Sequence, residues 1–72
     1  MPMTVEITDG DLLADLMDAL KRSGCPADRT GSRAFRVTHP LAATQDEAVL
    51  EVAFFLRAWQ LRHPGVGATL TP

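Results

Sequence analysis

The sequence contains no tyrosine and only one cysteine, Cys25, in 72 residues. A lone thiol excludes a disulfide within the chain. It also fits a reducing compartment, so a cytoplasmic setting is expected. Histidine is scarce as well. His39 and His63 are the two, and with Cys25 they lack any metal-ligand spacing, so no metal is expected. Lysine is nearly absent: Lys21 stands alone among seven basic residues, the rest being arginine. That bias reads as GC-rich coding rather than a phosphate-binding signature. A net charge of −2 argues against a polyanion binder acting through bulk charge. The longest greasy stretch, residues 48–61, "AVLEVAFFLRAWQL", is too short and too polar to span a bilayer. No basic segment leads into an apolar one at the start, so no secretion signal is expected.

What remains is the composition of an ordinary globular protein, long enough for one domain, 1–72. Size scaling gives about 11,300 Å² exposed when unfolded and about 4,400 Å² when folded, so about 60% is buried. Such a core is marginal. Domains of this size often gain stability from metals, disulfides or oligomerisation, and here oligomerisation is the route left open.

"TVEI" alternates, with Val5 and Ile7 on one side and Thr4 and Glu6 on the other, the pattern of a half-buried strand. Thr8 or Asp9 can cap the segment that follows. "DLLADLMDALKRSG" places Leu12, Leu13, Leu16, Met17, Ala19 and Leu20 on one helical face, and Gly24 ends it. Cys25 to Arg29 and the stretch through Val37 are expected to form two strands around a turn at Thr30, Gly31 and Ser32. Pro26 confines the first of these to an edge. Thr44 with Glu47 matches a capping box and opens a second helix, which Pro64 and Gly65 stop. Val66, Ala68 and Leu70 suggest a last strand.

The predicted order β-α-β-β-α-β, with right-handed crossovers, gives an α+β fold: a four-stranded antiparallel sheet with both helices on one face. Glu6 and Arg36 are then expected to pair across the open face. In this order the chain resembles the ferredoxin-like superfold. Metal-transport domains of that fold carry paired cysteines after the first strand, where this chain has "TDGD". Acylphosphatase-like chains need a basic anion-cradling loop there, and this one is acidic. ACT-like regulatory domains are nearer in size and in their dimerising habit. What that resemblance implies is a small-molecule ligand at a subunit interface; it is an analogy of fold alone.

The second helix carries two apolar stripes. At about 100° per residue, Ala48, Val49, Val52, Phe55, Leu56 and Trp59 form one. Leu50, Phe54, Ala58 and Leu61 form the other, separated from the first by Arg57 and Gln60 on one side and by Glu51 and Arg62 on the other. The second stripe could pack against the first helix. Otherwise it is a surface for a second copy or another protein, and a monomer rarely leaves so much exposed. Leu50, Phe54, Ala58 and Leu61 are therefore the expected partner surface.

Other features have plainer readings. Cys25 shows no neighbouring base in the sequence and reads as a structural thiol. His39 and His63 each precede a proline and mark element ends. No Ser/His/Asp set assembles, so no enzyme is expected, and no cofactor motif is present. "TDGD" lacks the further ligands of a calcium loop and reads as a cap. Arg29, Arg33 and Arg36 are the one candidate anion patch. Nucleic acid is disfavoured, since readers of this fold stack bases on exposed sheet aromatics and Phe35 falls in the buried register. The expected role is a non-catalytic interaction or regulatory module acting as a homodimer through the second helix or the open sheet face, with an ACT-like metabolite sensor as the alternative.

Overall fold

A computed structural model describes residues 2–72. Strand β1 (Met3–Ile7) leads through a 3₁₀ turn (Gly10–Leu12) into helix α1 (Leu13–Arg22). Strands β2 (Ala27–Arg29) and β3 (Ala34–Val37) follow, then helix α2 (Gln45–Leu61) and strand β4 (Ala68–Thr71). The four strands form one sheet in the order β2-β3-β1-β4, every pairing antiparallel.

The period-2 pattern dictates which face is covered. Val5 stands opposite Phe35 and Leu70, and Met3 opposite Val37. Directly opposed residues point the same way. Met3, Val5, Ile7, Ala27, Phe35 and Val37 are all buried, and both helices feed the same core, with Leu13, Leu16 and Leu20 from α1 and Ala48, Val52, Leu56 and Trp59 from α2. Thr4, Glu6, Asp28, Ala34, Arg36, Thr69 and Thr71 form the other face, which is exposed or half-buried. The total accessible surface is 4471 Å², close to the roughly 4,400 Å² that scaling gives for this mass. The subunit therefore exposes about as much surface as a monomer of its size.

The helix ends follow local chemistry. Asp9 Oδ1 accepts from the Asp11 N–H at 3.0 Å, ahead of the 3₁₀ turn. Thr44 Oγ1 accepts from the Glu47 N–H at 3.1 Å, which fixes the start of α2. At the end of α1 the Gly24 N–H donates to the Lys21 carbonyl and the Cys25 N–H to the Leu20 carbonyl, each at 3.0 Å. Gly24 takes φ +89°, a conformation that favours glycine. This is a Schellman motif. It corrects the expected strand from Cys25: the Cys25 N–H is committed to α1, Pro26 has none, and only Ala27–Arg29 joins the sheet.

The expected Glu6–Arg36 pair is also corrected. Arg36 lies opposite Thr4 and Asp28, while Glu6 lies opposite Ala34. The register sets Glu6 and Arg36 two positions out of step, and no ion pair joins them among the described residues.

Candidate functional site

Two features of α2 stand out, and they meet at Phe54. The first is the outward stripe. Leu50 is 58% exposed, Phe54 66% and Leu61 78%, and Ala58 is exposed. The stripe does not pack on α1 within the subunit. The reason is geometric: Ala48, Val52, Leu56 and Trp59 already take the face turned to the core, and the second stripe lies on the far side of the wheel. Leu50, Ala53, Phe54, Arg57 and Gln60 line a shallow depression along it. The charges flanking the stripe are ordered. Asp46, Glu47 and Glu51 fall in the first half of α2, with Arg57 in the second half and Arg62 at its C-cap.

The second feature is a cleft of about 310 Å³ lined by Leu20, Ser23, Cys25, His39, Glu51, Val52, Phe54 and Phe55. Three elements build it. The Schellman turn places Cys25 beside Leu20, β3 delivers His39 to the approach of α2, and α2 supplies Glu51, Val52 and the two phenylalanines. His39 Nε2 contacts Glu51 Oε2. A carboxylate only accepts, so the hydrogen of this contact sits on Nε2. Among the described residues, His39 Nδ1 and Gln45 Oε1 are buried without a hydrogen-bond partner; both residues line a smaller adjoining cavity of about 230 Å³. Glu51 is half exposed on its other side.

Sequence reading missed this assembly. His39 was a terminator and Glu51 a polar separator, twelve positions apart on different elements. The available signal was Glu51 interrupting the apolar run of α2 just where the chain returns past Cys25. His63, by contrast, does mark an element end. Its Nδ1 lies 2.9 Å from the Trp59 carbonyl oxygen, and its ring stacks on Trp59 with centroids 4.1 Å apart. A carbonyl can only accept, so Nδ1 carries the hydrogen.

Cys25 is buried and free. Burial raises its thiol pKa first, and the negative charge of Glu51 raises it further. Neither effect makes a nucleophile, which needs a stabilised thiolate. The folded chain holds the thiol proton more tightly than the unfolded chain. The stability this gives is present below the ordinary thiol pKa and is lost as pH rises from there through the folded value. Alkylation by iodoacetamide should therefore run far slower at neutral pH than for a short cysteine peptide, with its pH profile displaced to the alkaline side. Equal rates at neutral pH would reject this account.

The three arginines share a hairpin but not a face. Arg29 stands opposite Phe35, on the covered side, while Arg36 stands opposite Asp28, on the open side. Arg33 lies in the connection, packed against Gly10, where an added Cβ would come within 3.2 Å of its Cγ. The open face bears no aromatic side chain. Among the described residues no group of three or more His, Cys, Asp or Glu side chains could hold a metal ion, and no helix is long and apolar enough to cross a membrane.

Compared with protein-family models, with curated proteins and with solved structures, the chain matches none.

Proposed function

We propose that this chain is a cytoplasmic, non-catalytic interaction module of ferredoxin-like arrangement that pairs with a second copy through α2. The strand order, and one core shared by both helices and one sheet face, support the arrangement. The buried free thiol supports the compartment. The observation that carries self-association is the exposed stripe of Leu50, Phe54 and Leu61 on a subunit whose total accessible surface is ordinary for its size.

A second copy fits this stripe better than an arbitrary partner because of the charge order along α2. Two antiparallel copies, related by a two-fold axis, set the acidic first half of each helix beside the basic second half of the other. A parallel pair would set like against like. Each large side chain removed from water contributes about 1.5–3 kcal/mol before association costs.

Sedimentation equilibrium tests the reading. The apparent mass should rise with concentration from 7.8 kDa toward twice that value. A mass fixed at the monomer value into the high micromolar range would remove it. An ACT-like sensor of a small metabolite is the second reading, favoured by the cleft that shares Phe54 with the stripe. A metabolite that raises thermal stability only in the dimer would support it.

A further inference from the structure

We infer that the cleft between the α1 exit and α2 binds a small organic ammonium ion with a hydrocarbon body, its charge at Glu51 and its body against Phe54 and Phe55. At about 310 Å³ the cleft falls at the small end of ligand sites, which run to roughly 300–1,000 Å³ and join apolar walls to a few convergent polar groups. That is its construction. Leu20, Val52, Phe54 and Phe55 supply the walls, and Ser23, Cys25, His39 and Glu51 the polar groups.

The charge of the ligand follows from what lines the site. No lysine or arginine does, and the one basic side chain, His39, already has its Nε2 on Glu51, so a carboxylate or phosphate would meet Glu51 with little to offset it, at high cost. Glu51 carries the one carboxylate. Its Oε2 meets His39, and half of the side chain stays exposed to a ligand. A carboxylate has acceptor capacity for both. The field of Glu51 already reaches the interior, since it helps hold the Cys25 proton in place. Aromatic faces attract cations as well, and two phenylalanines line the same cleft. Carboxylate and rings together favour R–NH₃⁺ over a neutral molecule of the same shape.

Every residue of the site belongs to one chain, but Glu51 and Phe54 also border the proposed pairing surface, so a monomeric variant is needed to separate the two proposals. The experiment is an NMR titration of the amide resonances of Ser23, Cys25, His39, Val52 and Phe55. The probes are benzylammonium, benzyl alcohol and benzoate. Benzylammonium should give saturable shifts, benzyl alcohol should bind at least about tenfold more weakly, and benzoate should give none, since a hydrogen bond to a charged group is worth about 1.5–3 kcal/mol. Glu51→Gln keeps a partner for His39 and should lose at least about tenfold in benzylammonium affinity, with alcohol binding unchanged. Leu61→Glu lies outside the cleft. It should abolish self-association and leave benzylammonium binding intact, so failure of one proposal is distinguishable from failure of the other. The inference is overturned if benzylammonium gives no saturable shift, if benzoate binds as tightly, if Glu51→Gln changes nothing, or if Leu61→Glu loses the amine. The three probes on the unaltered chain decide the matter even if a variant fails to fold.

Discussion

Phe54→Glu should abolish the proposed pairing of two copies and leave folded monomers. Phe54 is 66% exposed in the single subunit, so the change removes little from the core, and glutamate is a good helix former. In the pair the cost is counted twice, once for each copy. At about 1.5–3 kcal/mol per buried phenylalanine, the two copies lose about 3–6 kcal/mol, which weakens association by roughly two to four orders of magnitude. Repulsion or desolvation of the new carboxylates adds to this. Sedimentation velocity should show a single monomeric species across the range in which the unaltered chain pairs. Circular dichroism and the melting transition extrapolated to low concentration should stay close to those of the unaltered subunit. A variant that still dimerises places the interface elsewhere. One that unfolds shows that Phe54 belongs to the core.

Phe35→Ala should have the opposite signature, leaving any surface untouched and emptying the centre. Phe35 is fully buried on β3, opposite Val5 on the neighbouring strand. Removing a buried phenylalanine costs about 3–5 kcal/mol, because the transfer term and the cavity left behind add. A chain of 72 residues has about 4–11 kcal/mol in total at the usual 0.05–0.15 kcal/mol per residue. The substitution therefore takes about a quarter of the stability at least and can take all of it. In a thermal scan the midpoint should fall by about 12 °C or more. A loss under about 1 kcal/mol would mean the core closes around the gap or that Phe35 is not its centre.

These two residues also show what could be seen in the sequence. Phe35 and Val37 alternate with Ala34 and Arg36, and Val5 and Ile7 with Thr4 and Glu6, so strand and buried face were both legible. The caps at Thr44 and Gly24 were legible too, because a hydroxyl before a helix and a glycine after one act locally. The outward position of Phe54 was only half legible. The wheel showed two stripes but not whether α1 reached the second. Register was not legible at all: nothing in the chain says that Arg36 meets Asp28 and Thr4 rather than Glu6, because turn geometry and pairing set it jointly. Nor could His39 be matched to Glu51. A contact between a loop and the second turn of a helix leaves no periodic trace, and it depends on how the loop after β3 and α2 are placed together.

The burial of Trp59 has a practical consequence. This is the chain's single tryptophan, only 2% exposed, and it sits on the core side of α2, away from the stripe that would meet a second copy. Its ultraviolet emission should shift to longer wavelength when the fold opens to water and hold steady when two folded chains come together. The protein thus carries one optical probe that reports unfolding and ignores pairing, which lets the two equilibria be followed in a single sample without a label.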